Sequence, residues 1–291
     1  MRASLLAAVA ALVLTTPAGA TTLTKSTLER KVVAAGDIAS CASSGAAETS
    51  ALVQSLAPDA VLTLGDNAYP DGAFSDFRDC YQPTWGAFRT KTFPAPGNHD
   101  YHTAGAKAYF DYFGPRARGR FYSFNLGPWH VVSLNSEIPH GYGSRQVRWL
   151  RHNLAGDSRR CEILYWHRPR WSGGTHGSDP GMSALWRAAY DHGVDLVLAG
   201  HDHNYQRFYK LDAYGQSDRR YGVRQIVAGT GGKSLYDTGP PMPRRAAASS
   251  STHGVVELTL RAGGYDLRFV PVAGSSWTDV LDGRTCHRPP R

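Results

Sequence analysis

Cysteine is scarce: the 291 residues hold four, none at a Cys-x-x-Cys spacing. That excludes zinc knuckles and dithiol redox motifs. No Gly-x-Ser-x-Gly elbow and no Gly-x-x-x-x-Gly-Lys-Ser/Thr loop occurs. Neither a serine nucleophile of the α/β-hydrolase kind nor a P-loop nucleotide site is therefore expected. Apolar runs are short. The one near the start, Leu5 to Leu14, cannot span a bilayer as a helix, and nothing later is apolar for long enough to anchor the chain. Basic residues outnumber acidic ones by 32 to 24, yet they form no long run or basic helix, only pairs such as Arg159-Arg160, Arg219-Arg220 and Arg244-Arg245. There is no internal repeat and no clear linker.

Met1-Arg2, the apolar run and Pro17-Ala18-Gly19-Ala20 together make a positive region, a hydrophobic region and a small-residue cleavage site. Residues 1–20 are expected to be a signal peptide cut after Ala20, which places the protein outside the cytoplasm, secreted or extracytoplasmic. Residues 21–291 are long enough to bury one substantial core and are expected to form a single domain. Cleavage removes Arg2 alone among the charged residues, so most of the net charge of +8 remains and favours anionic substrates. All four cysteines survive cleavage, and an even number in an oxidising compartment implies two disulfides. Three pairings are possible. We favour Cys41–Cys80, tying two loops that follow strands, with Cys161–Cys286 fastening the C-terminal tail to a core strand.

Apolar stretches ending in polar corners recur along the chain. Lys31–Ala35 ends at Gly36-Asp37. Ala60–Leu64 ends at Gly65-Asp66-Asn67-Ala68-Tyr69, and the helical spacing of Leu52, Val53 and Leu56 between the two predicts a parallel strand–helix–strand unit. Thr92–Pro96 leads into Gly97-Asn98-His99-Asp100. Glu162–Trp166 ends at His167, and Val194–Leu198 runs into Gly200-His201-Asp202-His203. Ser144 caps a helix with Val147, Leu150 and Leu154 on one face, and Asp179-Pro180 starts another that Gly193 ends. Hairpins are expected at 121–134 and 255–270, a mobile loop at 242–251, and an irregular tail from Ser275. The fold class is α/β: a two-sheet mixed β-sandwich flanked by helices, with its site beyond the carboxyl ends of the strands.

Carboxylate, amide oxygen and imidazole form a hard-to-borderline ligand set that suits zinc, iron or manganese. Seven candidates, Asp37, Asp66, Tyr69, Asn98, His167, His201 and His203, are too many for one structural zinc. A carboxylate such as Asp66 can bridge two ions, which together generate hydroxide from water and clamp the oxygens of a phosphoryl group.

In order, Gly36-Asp37, Gly65-Asp66-x-x-Tyr69, Gly97-Asn98-His99-Asp100, His167 and Gly200-His201-x-His203 resemble the motifs of the calcineurin-like metallophosphoesterases. The tyrosine of the second motif and Tyr205-x-Arg207 after the last narrow the resemblance to the purple acid phosphatase branch. It runs from about Lys31 to about Gly232. The resemblance implies two metal ions. Asp37, Asp66, Tyr69 and His203 would hold Fe(III) at a first site; Asp66, Asn98, His167 and His201 would hold Fe(II), Zn or Mn at a second. His99 would be the general acid and Asp100 its orienting carboxylate. Asn98 and His176 would touch the substrate phosphate.

Two positions depart from the family, which often has glutamate where this chain has Asp100 and Gln206. The expected product is an exported phosphatase acting on a phosphorylated small molecule, a phosphate monoester, by attack of a metal-activated hydroxide. A phosphodiesterase on the same site and a non-catalytic polyanion-binding protein are the alternatives. No specific nucleic-acid partner and no membrane anchor after cleavage are expected; the oligomeric state is left open.

Overall fold

The computed structural model describes residues 29–287 apart from residue 118. The expected signal peptide lies outside the described residues. Among them, two mixed sheets face each other. One has six strands in the order Val280–Thr285, Gly264–Pro271, Gly254–Arg261, Arg30–Ala35, Ala60–Leu64, Thr92–Ala95. The other has seven, in the order Arg245–Ser249, Tyr205–Leu211, Val223–Ala228, Leu196–Ala199, Cys161–Tyr165, Trp129–Ser133, Tyr122–Leu126. In the six-stranded sheet the last three strands are parallel and the rest antiparallel; in the seven-stranded sheet the centre is parallel and the flanks are antiparallel.

The parallel strands read as continuous apolar runs because both of their faces are covered. Val32 and Ala34 point between the sheets, where they join Ile163, Leu198, Ile226, Val256 and Leu258. Their neighbours Val33 and Ala35 point outward into a layer with Val53 of the helix Gly45–Leu56. On the far side Leu164, Val197 and Val227 meet Leu150 and Leu154 of the helix Arg145–Gly156 and Leu185 and Ala189 of Ser183–His192. Each fully buried aliphatic side chain contributes roughly 1.5–3 kcal/mol to holding the three layers together. Ser144 caps its helix as expected, its Oγ accepting from the Val147 amide at 3.2 Å. Asp179 instead caps a single 3-10 turn, Pro180–Met182, that leads into the helix.

Two stretches expected to be irregular are strands. Arg245–Ser249 pairs antiparallel with Tyr205–Phe208 at the sheet edge, and Val280–Thr285 pairs with Gly264–Arg268 at the edge of the other sheet. Neither has hydrophobic alternation, because neither buries one full face. Backbone pairing and distant anchors hold them instead. Asp279 receives both Arg207 nitrogens, at 2.6 and 2.8 Å, and the Tyr205 hydroxyl at 2.7 Å. Thus Tyr205 and Arg207 pin the tail rather than serving the site. The disulfides are Cys41–Cys80 and Cys161–Cys286.

Candidate metal centre

All the parallel strands of the first sheet, and two of the second, end at the same place. The loop after Arg30–Ala35 carries Asp37, and that after Ala60–Leu64 carries Asp66 and Tyr69. Those after Thr92–Ala95, Cys161–Tyr165 and Leu196–Ala199 carry Asn98 with His99, His167, and His201 with His203. Asp37, Asp66 and His201 have φ of 59°, 50° and 72°, the left-handed region that costs an ordinary residue about 1–2 kcal/mol. That backbone turns the side chains inward. Two glycines let neighbouring loops close up. A Cβ on Gly65 would lie 2.5 Å from the His167 ring, and one on Gly97 would lie 2.2 Å from the Asp66 carboxylate.

The side chains fall into two groups that share one atom. Tyr69 Oη lies 3.0 Å from Asp37 Oδ1, 3.0 Å from Asp66 Oδ2 and 3.2 Å from His203 Nε2. His203 Nε2 is also 3.2 Å from Asp37 Oδ1. In the second group, His167 Nε2 lies 3.3 Å from the same Asp66 Oδ2, 3.1 Å from Asn98 Oδ1 and 3.2 Å from His201 Nδ1. Asp66 Oδ1 is occupied separately, accepting from the His99 amide at 2.8 Å.

Proton accounting shows that this set fits cations. His167 Nδ1 faces the Leu64 carbonyl at 2.9 Å and His203 Nδ1 faces the Ser234 carbonyl at 2.8 Å. A carbonyl only accepts, so each Nδ1 carries the hydrogen and a neutral ring turns its Nε2 lone pair inward. Carboxylates, an amide oxygen and imidazole lone pairs then meet in a buried space with almost no proton between them. Protons alone serve that space poorly. Burial opposes an imidazolium at His167, yet Asp66 drags it up to about 10. Burial, then His167 and Arg168, hold His201 down to about 2. For Asp66, burial is outweighed by His167 and His99, which keep the carboxyl well below its usual range. Burial, then Asp37 and Asp66, push the Tyr69 phenol well above its ordinary value.

The remaining expected residues are placed as follows. His99 has Nδ1 at 2.5 Å from the Pro70 carbonyl and Nε2 at 3.9 Å from Asp66 Oδ2, so the ring edge faces the shared oxygen. Asp100 does not orient it. Its carboxylate receives the Asn67 side chain and the Gly97 amide, both at 2.9 Å. The residue folds back under its own loop, and Pro70 takes over the histidine. Burial, then Asp66, push Asp100 up to about 7. His176 is exposed on the rim and stacks on His201, ring centroids 4.3 Å apart.

Several residues at the site were passed over in the sequence. Tyr236 stacks on His203 with centroids 4.0 Å apart, Lys233 lies 5.1 Å over the Tyr69 ring, and the His102 ring meets His99 at a tilt with centroids 4.6 Å apart. Arg168, gripped by Glu137 at 2.8 and 3.2 Å, puts Nη1 3.3 Å from His201 Nε2. Only Arg168 and Asp202 had a local signal, adjacency to His167 and to the two histidines. Buried Asp202 receives the Ser172 hydroxyl and the His176 amide and so shapes the rim. Trp171 turns away and meets Trp186 edge-on.

A model of the calcineurin-like phosphoesterases matches residues 30–205, the segment holding all seven candidate ligands. The chain belongs to the calcineurin-like phosphoesterase family. It is 29% identical over 247 residues to an uncharacterised protein of Mycobacterium tuberculosis, covering 73% of this chain and 43% of that one. To acid phosphatase type 7 of Danio rerio it is 28% identical over 249 residues, covering 69% and 56%. To purple acid phosphatase 15 of Arabidopsis thaliana it is 28% identical over 215 residues, covering 60% and 40%. The chain thus spans about half the length of these relatives. Among solved structures, purple acid phosphatase PPD1 from yellow lupin seeds superposes with a TM-score of 0.74 at 20% identity, over 87% of this chain and 53% of that one. Family membership carries the fold, and the lupin likeness agrees with it.

Proposed function

We propose that this protein hydrolyses phosphoric esters, phosphate monoesters of small molecules in particular, at a centre holding two metal ions. The observation that carries the reading is Asp66 Oδ2, one carboxylate oxygen placed in both ligand groups. Asp37, Asp66, Tyr69 and His203 would hold one ion, ferric iron; Asp66, Asn98, His167 and His201 would hold the other, Fe(II), Zn or Mn. Bound there, such a pair lowers the pKa of water and withdraws charge from a phosphoryl group. The protein's own groups do the rest. The Pro70 carbonyl fixes the His99 ring, leaving Nε2 turned to the centre to hand a proton to the departing alkoxide. Asn98, His176 and Arg168 surround the position of the phosphate and orient it. The Leu64 and Ser234 carbonyls keep His167 and His203 in the tautomer that donates a lone pair inward. The names of the acid phosphatase relatives agree with this reading, and the two disulfides suit an exported protein.

Metal analysis combined with a visible spectrum tests it. The purified protein should hold two metals per chain and show an absorption band from tyrosinate on ferric iron, lost in Tyr69→Phe with iron retained. Turnover of p-nitrophenyl phosphate but not of its bis ester is expected. The opposite preference would make the protein a diesterase, and a metal-free protein would end the proposal.

A further inference from the structure

We propose that the protein carries a second anion site, at the amino ends of the same strands, that takes a small oligoanion bearing phosphate or sulfate groups. This inference is independent of the hydrolytic reading. The strand Val223–Ala228 links the two places. Ala228 accepts from Gly36 beside the metal centre, while Arg224 at the other end enters a separate cleft about 15 Å away by strand length. That cleft has a volume of about 570 Å³, within the range of small-ligand sites.

Lys210, Arg219, Arg224 and Arg284 line it, from four different segments, together with His287 and a single carboxylate, Asp195. Arginines elsewhere in the molecule meet acids: Arg168 with Glu137, Arg207 with Asp279, Arg261 with Asp266. None of these four cations forms a salt bridge among the described residues. Lys210 reaches the Arg220 carbonyl at 3.3 Å and Arg284 the Asp282 carbonyl at 2.9 Å, while the Arg219 side chain has no hydrogen bond among the described residues. Arg224 is 8% exposed; it donates to the Phe208 carbonyl at 3.0 Å, and its Nε finds no partner. A buried guanidinium left partly unsatisfied is costly, which makes it a place where an anion gains most.

Asp195, one carboxylate against four cations, offsets only part of the group's charge. Its Oδ1 accepts from the His287 amide and ring at 2.9 and 2.8 Å, and its Oδ2 from the Glu162 amide at 3.1 Å. Burial and the charge of Arg224 pull the Lys210 ammonium below its ordinary value against the pull of Asp195. A ligand with one charge would leave most of the cluster unmatched. Two or more anionic groups on one small framework match it, with guanidinium forks suited to phosphate and sulfate oxygens.

The test is calorimetric titration of the full chain with two probes that no phosphatase cleaves: sucrose octasulfate and methylene diphosphonate. We expect at least one to bind. Its Kd should rise about tenfold or more in the double variant Lys210→Glu/Arg219→Glu, since charge-assisted contacts are lost. Arg284→Glu, on the opposite wall, should give a similar loss. Turnover of p-nitrophenyl phosphate should be the same in all three proteins, and the bound probe should not raise KM. Binding of the octasulfate alone identifies a sulfated ligand, and of the diphosphonate alone a phosphorylated one. The proposal is overturned if neither probe binds, if charge reversal leaves Kd unchanged, or if KM rises in step with occupancy, which would put the probe at the metal centre.

Discussion

Two trios of ligand-type residues, the first with His201 only partly buried and the second buried throughout, lie at opposite ends of the central strands, and they differ in kind. Asp66, His167 and His201 bring their donor atoms within 4.8 Å of one another, and so do Cys161, Asp195 and Cys286. In the first trio the His167 hydrogen is spent on the Leu64 carbonyl behind the ring, so its Nε2 keeps a lone pair turned toward Asp66 Oδ2 and His201 Nδ1. In the second, the sulfurs are joined to each other and both Asp195 oxygens already accept from N–H donors, Oδ1 from two and Oδ2 from one. The lesson is that grouping alone does not make a metal site. What matters is which donors remain after the local hydrogen bonds have been satisfied.

Breaking each trio in turn should separate chemistry from stability. The largest effect is expected for Asp66→Asn, which removes the charge common to both ligand groups. Elemental analysis should find both metals lost and turnover below detection, whereas Asp195→Asn should leave metal content unchanged. His99→Ala should come next, lowering kcat by about 10²–10⁴ with metals retained, as for removal of a general acid. Retained turnover would mean that the ring only lines the site. At the other end, Cys161→Ser with Cys286→Ser should cost about 2–5 kcal/mol. That lowers the melting temperature by roughly 5–15 °C without altering turnover below it.

The smallest effect concerns Glu162. Burial, then Asp195 and Asp157, push its carboxyl up to about 8 from an unfolded value near 4.5. Ionising it is harder in the folded chain, so the cost is absent below 4.5 and stability is lost as pH rises from there to about 8. The loss is on the order of a few kcal/mol across that window. Melting followed from pH 5 to pH 8 should show a shallower decline in Glu162→Gln. An unchanged slope would mean that Asp195 and Asp157 do not press on this group.

Much of the candidate site was legible because its residues sit where strands stop. Asp37, Asp66, Asn98, His167 and His201 each follow an apolar run by one to three residues, and a glycine precedes four of them. Asp100 was misjudged for the same reason in reverse. Adjacency to His99 suggested an orienting role, while the loop turns its carboxylate back to Asn67 and Gly97. The edge strands Arg245–Ser249 and Val280–Thr285 were illegible, since backbone pairing and remote anchors leave no mark on hydrophobic pattern. Tyr236 and Lys233 reach the centre from a segment whose local sequence predicts only a corner.

By itself the sequence determined which ligand atoms are available and in what order, because apolar runs must be buried and polar residues mark where burial ends. The tertiary structure alone decided that one oxygen of Asp66 serves both groups, that Asp195 accepts from two backbone amides and the His287 ring, and that four cations with no salt bridge among the described residues share a cleft. Those outcomes depend on which separate loops meet and where each hydrogen is used, and neither is encoded within any one segment.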